Sequence, residues 1–239
     1  MERIVVLNPK GGSGKTTVAT NLAAYFATTG ENPMLLDLDP QASSARWTSH
    51  RTAEHPPIDC IDGAKGSGTV TRSWQMRARP GCNVVIVDTP AAVEARRFPE
   101  ITRGADTILV PVMPSEIDIH ATAKCIADLL LVAKIRREDN RIGIIANRVK
   151  ANTLVSRTLM KFLGSLDIPL VATLRDTQNY VRAAQLGIGV FEMPAWQARQ
   201  DIESWQNLLE WLETKKEQVP STPKIPQQLT NGMTAQLLV

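Results

Sequence analysis

The residue types best able to do chemistry lie near the amino terminus, in the run PKGGSGKTT from Pro9 to Thr17. This run directly follows the apolar segment Ile4–Leu7. Glycines let backbone N–H groups curl around a polyphosphate, because a Cβ atom would block the close approach. Lys15 offers a positive charge to the β- and γ-phosphates, and Thr16 offers a hydroxyl to Mg²⁺. The run therefore predicts a phosphate-binding loop between a strand and a helix.

The loop departs from the common consensus G-x-x-x-x-G-K-[ST], because Pro9 stands at the first glycine position. It fits the pattern K-G-G-x-x-K-[ST], in which Lys10 is an additional cation. A glycine turn that binds nothing is the alternative for a bare G-x-G pattern. A nine-residue match between a strand and a helix favours phosphate binding instead.

Carboxylates follow two further apolar runs. Asp88 ends the run Val84–Val87 and precedes Thr89-Pro90, which favours a role in holding a metal-bound water over that of a helix cap. Asp37 and Asp39 are two residues apart, so they share one face if the preceding strand continues through them. The alternative is that Asp39 merely heads a turn.

The chain alternates between apolar runs and helical patterns. The predicted strands are rich in Val, Ile and Leu throughout, as is typical of strands covered on both faces: Ile4–Leu7, Met34–Leu38, Val84–Val87, Thr107–Val112, Ile142–Ala146 and Leu170–Thr173. The predicted helices are Thr16–Thr29, ending at Gly30, then Ile119–Ala133, Asn152–Leu166 and Ala195–Lys216. This alternation predicts an α/β fold: a doubly wound, mostly parallel sheet with helices on both faces and ligand at the carboxyl ends of its strands.

Composition limits the class of protein. The 239 residues, 43% of them hydrophobic, suffice for one sizeable core. No apolar run approaches the roughly 20 residues that span a bilayer, and the amino terminus enters a strand without a signal-peptide pattern. Three cysteines without metal-ligand spacing indicate reduced thiols in the cytoplasm. We predict one domain over residues 1–217 and a mobile Pro/Gln-rich tail over residues 218–239.

The net charge is only +3, but the cations are unevenly distributed. Two stretches contain no acidic residue, from Gly63 to Val87 and from Arg141 to Leu166. A solvated face and a surface for nucleic-acid phosphates are about equally supported. The basic residues of the two stretches are Lys65, Arg72, Arg77, Arg79, Arg141, Arg148, Lys150, Arg157 and Lys161.

Together with three later blocks, the loop resembles that of the ParA/MinD family of deviant Walker-A ATPases. The blocks are LLDLDPQASS at 35–44, similar to the family's switch I, VVIVDTP at 84–90, similar to its Walker B strand, and IIANR at 144–148. They place the resemblance over about residues 1–215. It implies the P-loop NTPase fold, with ATP and Mg²⁺ as cofactors and a homodimer that sandwiches ATP.

The resemblance also implies roles for individual residues. Lys10, Lys15 and Asp39 are the implied catalytic residues: Asp39 orients the attacking water, and Lys10 reaches the partner's phosphates in the manner of an arginine finger. A contact of Lys10 with its own nucleotide is the alternative. The implied metal-site residues are Thr16, Asp39 and Asp88. The implied nucleotide-binding residues are Lys10, Gly11, Gly12, Ser13, Gly14, Lys15, Thr16, Thr17, Asn147, Arg175 and Asp176, with Asn147 offering a donor and an acceptor to adenine.

Finally, the resemblance implies a slow, partner-stimulated ATPase that binds DNA without sequence preference. The candidate DNA contacts are Lys150, Arg157, Lys161, Arg182 and Arg199. The implied partner is a cargo adaptor of the ParB or McdB type, the location is the cytoplasmic nucleoid, and no membrane is involved. The cargo could be a plasmid, a chromosome region or a protein assembly such as carboxysomes.

Two alternatives remain open at this point. One is a membrane-associated regulator of division of the MinD type, although the last cation of the tail is Lys224 and its apolar end is short. The other is a metabolic enzyme on the same scaffold, for which the cysteines offer no evident shared cluster.

Overall fold

The computed structural model describes residues 1–64 and 80–218. The predicted tail, apart from its first residue, lies outside these ranges. So do four basic residues of the first acid-free stretch: Lys65, Arg72, Arg77 and Arg79.

Seven strands form one parallel sheet in the order β3-β2-β4-β1-β5-β6-β7. Their bounds are β1 Glu2–Val6, β2 Pro33–Asp37, β3 Asp59–Asp62, β4 Val84–Asp88, β5 Thr107–Val112, β6 Ile142–Val149 and β7 Leu170–Arg175. All six predicted strands are present, so the predicted doubly wound sheet is confirmed. The prediction missed β3, because this edge strand has four half-buried residues and no apolar run.

Helices cover both faces of the sheet. Their bounds are α1 Lys15–Thr28, α2 Ser43–Ser49, α3 Phe98–Ile101, α4 Glu116–Leu131, α5 Leu154–Gly164, α6 Gln178–Gln185, α7 Ala195–Glu203 and α8 Gln206–Gln218. Helix α1 ends before Gly30, whose φ of +85° suits a position just past a helix. The short helices α2, α3 and α6 were not predicted, because segments of four to eight residues show little periodicity.

The predicted helix Ala195–Lys216 is in fact two helices, α7 and α8, separated at Ser204 and Trp205. Trp205 is fully buried, and its Nε1 donates a hydrogen bond of 2.9 Å to the Tyr180 hydroxyl. The buried Trp205 side chain thus fixes the junction between α7 and α8 against the core. The break could not be read from the sequence, because Trp205 fits the same apolar stripe as its neighbours.

The sheet separates two hydrophobic layers. On one face, α1 packs with Trp205 and α8. On the other face, Phe98, Ile126 and Leu159 from α3, α4 and α5 cover the sheet. Within residues 1–64 and 80–218, no helix has both the length and the apolar character that crossing a membrane requires. The central strand β1 therefore delivers the glycine-rich loop to the carboxyl edge of a rigid, two-sided core.

Candidate nucleotide site

The glycine-rich loop takes a conformation that requires glycine at two positions. Gly12 and Gly14 have φ values of +79° and +94°, which lie in the left-handed region. A Cβ atom on Gly14 would also stand 1.9 Å from Nδ2 of Asn147. Helix α1 begins right after Gly14 with no side chain capping its amides. Its first turn is therefore available to bind an anion.

Buried polar contacts hold the loop at the sheet edge. Asn8 donates from Nδ2 to the carbonyl oxygen of Pro111 at 2.8 Å, and its Oδ1 accepts the Lys10 amide at 2.9 Å. The Thr89 hydroxyl donates to the Val6 carbonyl oxygen at 2.8 Å. Asn8 was missed by the sequence analysis. A polar residue ending an apolar strand directly before the loop was the available signal.

Lys15 is nearly enclosed by the loop, with 6% of its surface exposed. Its Nζ donates to the Lys10 carbonyl oxygen at 3.4 Å across the loop. Burial lowers the pKa of Lys15, while the negative charges of Asp88 and Asp39 oppose that effect. A buried ammonium with one long hydrogen bond is well suited to accept a phosphate oxygen.

Asp88 is fully buried at the end of β4. Its Oδ2 accepts two hydrogen bonds of 2.7 Å, from the hydroxyls of Thr16 and Ser44. Its Oδ1 is buried and has no hydrogen-bond partner among the residues that the structure describes. Burial raises the pKa of Asp88 to about 6, and the two hydroxyls oppose that rise. An orphaned buried carboxylate oxygen beside Thr16 and Lys15 fits a cation brought in with a polyphosphate.

The site fits Mg²⁺ in the form that accompanies a nucleotide. Among residues 1–64 and 80–218, no three His, Cys, Asp or Glu side chains converge into a metal cage. Mg²⁺ commonly takes one or two protein ligands and completes its shell with waters and substrate phosphates. The Thr16 hydroxyl and the free oxygen of Asp88 are the groups that would hold it here.

The two switch I carboxylates do not lie on one continuous strand. Strand β2 ends at Asp37, which is fully buried. Asp37 accepts the amides of Asp39 and Ala45, each at 3.0 Å, so it fixes the turn and the start of α2. Asp39 is half-buried and accepts the Gln41 amide at 2.9 Å. The strand does not continue through Asp39, so the condition for a shared face is not met, and a turn is present around Asp39.

Lys10 is half-buried in the loop. Its Nζ is 3.5 Å from the Gly11 carbonyl oxygen. Since that contact is weak, the ammonium can move toward a phosphate outside the loop.

Asn147 makes two hydrogen bonds within the protein, and its predicted contact with adenine stays a prediction. It is 3% exposed, its Nδ2 donates to the Ser13 carbonyl oxygen at 2.9 Å, and its Oδ1 accepts the Arg148 amide at 2.9 Å. Both ends of the amide are thus engaged within the protein. In this arrangement Asn147 holds the glycine-rich loop through the Ser13 carbonyl oxygen.

Arg175 and Asp176 also have charged partners within the protein. Arg175 donates to Asp201 Oδ1 from Nε at 3.0 Å and from Nη2 at 2.7 Å. Asp176 lies 3.5 Å from the Lys150 ammonium. Arg175 therefore ties the end of β7 to α7, and the predicted nucleotide contacts of Arg175 and Asp176 stay predictions.

The sequence pattern of the CobQ/CobB/MinD/ParA nucleotide-binding domain family matches residues 4–190, which contain the loop, Asp39, Asp88 and Asn147. The match spans well over half of the chain. The chain belongs to this family.

Individual relatives of the chain are proteins of the same kind. The chain is 27% identical over 213 residues to the maintenance of carboxysome distribution protein A of Gloeobacter kilaueensis, covering 88% of this chain and 93% of the relative. The corresponding protein of Halothiobacillus neapolitanus is 26% identical over 196 residues, covering 80% and 88%. A putative plasmid partition protein from Borrelia burgdorferi bound to AMPPNP superposes with a TM-score of 0.68 at 16% identity, covering 90% of this chain and 99% of that one. This last likeness supports the fold.

For a ParA/MinD-family chain, the predicted DNA contacts fall into two groups. Lys150 and Arg199 face acidic neighbours, Asp176 at 3.5 Å and Glu203 at 3.0 Å. The other three are exposed and have no acidic partner among the described residues: Arg157, Lys161 and Arg182. Arg157 and Lys161 lie one turn apart on α5, so they can face one surface together.

Ser44 is the second site residue that the sequence analysis missed. It lies within the quoted block LLDLDPQASS, but nothing in the block distinguishes it from Ser43. Only the structure shows that the Ser44 hydroxyl is fully buried against Asp88 while Ser43 is half-buried.

Proposed function

We propose that this chain is a ParA-type ATPase that dimerises around ATP, binds DNA without sequence preference, and positions a cargo with the help of a partner that stimulates hydrolysis. The observation that carries the proposal is the orphaned Oδ1 of Asp88 beside Lys15 and an uncapped helix amino terminus. Membership in the family and the similarity to carboxysome distribution proteins support it.

The residues of the loop divide the work on the nucleotide. The amides of the first turn of α1 and the Lys15 ammonium would hold the β- and γ-phosphates, while Thr16 and Asp88 would hold Mg²⁺. The bound ion would supply neutralisation of phosphate charge. Asp39 would orient a water for attack, since its turn lies at the same edge and its charge acts on Lys15.

Lys10 would act on the nucleotide of the partner subunit. Within the described part of the chain, its amine is held only by a 3.5 Å contact with the Gly11 carbonyl oxygen, so it can leave its own loop. A cation supplied in trans stabilises the charge that develops during phosphoryl transfer. Such an arrangement makes hydrolysis depend on dimerisation.

DNA binding would use exposed cations with no acidic neighbour among the described residues, above all Arg157 and Lys161 on α5. Binding of this kind neutralises phosphates and weakens steeply as salt rises. It would place the dimer on the nucleoid, with an adaptor of the ParB or McdB type connecting it to cargo. Carboxysomes are the cargo favoured by the two carboxysome relatives.

The test is a salt titration of DNA binding with ADP, with ATP and with a non-hydrolysable ATP analogue, combined with sedimentation velocity. We expect a dimer and DNA binding with the analogue, and a monomer without DNA with ADP. A monomer at saturating analogue that still binds DNA would contradict the proposal. Nucleotide-dependent binding to anionic vesicles in place of DNA would favour a MinD-type regulator.

A further inference from the structure

Two strand-end carboxylates hold the start of helix α2. Asp37 and Asp88 are register partners on the neighbouring strands β2 and β4. Asp37 Oδ2 accepts the Ala45 amide at 3.0 Å, and Asp88 Oδ2 accepts the Ser44 hydroxyl at 2.7 Å. The first contact uses the backbone, so any residue at position 45 other than proline can make it. The second depends on one side chain.

These contacts determine where the Asp39 turn lies. The turn is bounded by Asp37, which binds the Asp39 amide, and by Ala42, which caps α2. Ala42 has a φ of +49°, a left-handed conformation that is strained for a residue with a Cβ atom. A turn held in such a conformation needs firm anchors on both sides. Ser44 supplies the side-chain anchor on the α2 side.

The far end of α2 is fixed to the carboxyl-terminal half of the chain. Trp47 donates from Nε1 to the Ile188 carbonyl oxygen at 3.2 Å. Arg51 donates from Nη1 to the Gly187 carbonyl oxygen at 3.0 Å and to Glu192 at 2.9 Å. The side chains of this ion pair are 4% and 2% exposed. Because the far end is fixed, α2 cannot compensate for a lost anchor at Ser44 by sliding as a whole.

We propose that Ser44 is a positioning residue: its hydroxyl couples the metal-site carboxylate Asp88 to α2 and thereby sets the position of Asp39 relative to the phosphates. The anchoring part stands on the structure alone, whereas the consequence for turnover rests on the proposed function. Ser44 holds Asp88 through Oδ2 only, so Oδ1 stays available to a cation.

Hydrogen exchange of the nucleotide-free protein tests the anchoring part. Ser44→Ala removes one buried oxygen, and Ser43→Ala is the matched control on the neighbouring, half-buried serine. We expect the α2 amides from Ala45 to Ser49 to exchange about tenfold faster in Ser44→Ala, because a hydrogen bond to a carboxylate is lost, and to be unchanged in Ser43→Ala. Equal exchange in both variants would overturn the proposal. If Ser44→Ala does not fold, Ser44→Cys keeps the volume with a weaker donor and is expected to exchange several-fold faster than the unmodified chain; unchanged exchange would count against it.

Nucleotide binding and turnover test the positioning part. In Ser44→Ala we expect the affinity for an ATP analogue without Mg²⁺ to stay within twofold, the Mg²⁺ enhancement of that affinity to fall several-fold, and kcat to fall about tenfold with KM nearly unchanged. An unchanged Mg²⁺ enhancement together with unchanged kcat would refute the role. Failure of the unmodified chain to hydrolyse ATP would refute the proposed function instead, and the exchange result would still decide whether Ser44 anchors α2.

Discussion

The glycine-rich loop and the basic surface of the carboxyl-terminal half are built on opposite principles. Around the loop, the functional groups are buried and fixed by named contacts, such as Asn8 with Pro111 and Thr16 with Asp88. On the basic surface, Lys150 and Arg199 are exposed and face acids, while Arg157 and Lys161 extend into solvent. A preorganised site concentrates its free energy in a few groups, whereas a solvated surface spreads it over many. Single substitutions should therefore act strongly in the first region and weakly in the second.

The largest effect is expected for Lys15→Ala. Loss of the buried ammonium should weaken binding of Mg²⁺ and a fluorescent ATP analogue by about 100-fold, because a charged hydrogen bond to phosphate contributes up to about 3 kcal/mol. Lys10→Ala is the matched control, expected to bind the analogue nearly as well as the unmodified chain but to lose partner-stimulated hydrolysis. Equal losses of affinity in the two variants would remove the distinction between the lysines.

The next effect concerns the stability of the loop itself. Gly14→Ala should lower the free energy of unfolding by about 3 kcal/mol, through the left-handed backbone and the contact with Asn147. Gly12→Ala has a similar φ but open space around its Cβ, so it should cost only about 1 kcal/mol. Urea unfolding without nucleotide measures both. Similar costs in the two variants would show that Asn147 moves aside freely.

A pH series of unfolding free energies examines Asp88. Its pKa is raised to about 6 in the folded chain, from 3.8. The folded state therefore keeps the carboxyl proton up to a higher pH than the unfolded state does. Stability from this group is therefore lost as pH rises from about 4 to about 6. Asp88→Asn should match the unmodified chain near pH 4 and exceed it by on the order of 2–3 kcal/mol near pH 7, without nucleotide or Mg²⁺. A difference that does not vary with pH would contradict the assignment.

The smallest effects are expected on the basic surface. Arg157→Ala combined with Lys161→Ala should weaken DNA binding several-fold. It should also make the negative slope of the log binding constant against log salt concentration shallower by about 2. Arg199→Ala, whose charge faces Glu203, should change the slope by less than half as much. Equal slopes for the double variant and the unmodified chain would show that α5 is not part of the DNA-binding surface.

Local sequence was sufficient for the six apolar strands and for the glycine-rich loop, but not for the edge strand β3. The six apolar runs are fully buried strands for the most part, and their composition alone predicts them. Glycine at positions 12 and 14 permits the left-handed backbone found there. These features depend on neighbours in the chain, so a single sequence carries them.

Features that depend on distant partners could not be predicted in this way. The amide of Asn147 is committed to Ser13, 134 positions away, and Arg175 to Asp201, 26 positions away. Ser44 reaches Asp88 across 44 positions. No periodicity or spacing reports such pairings, and a family pattern assigns a residue type to a role without showing which contacts that side chain already makes.

The buried pair between Arg51 and Glu192 connects residues 141 positions apart. Asn21 likewise accepts the Val190 amide at 2.8 Å. During synthesis, the amino-terminal half emerges from the ribosome long before these partners exist. Helix α2 cannot make its final contacts until Glu192 has been synthesised. A nascent or truncated chain that already contains the glycine-rich loop is therefore expected to lack a correctly positioned Asp39 turn.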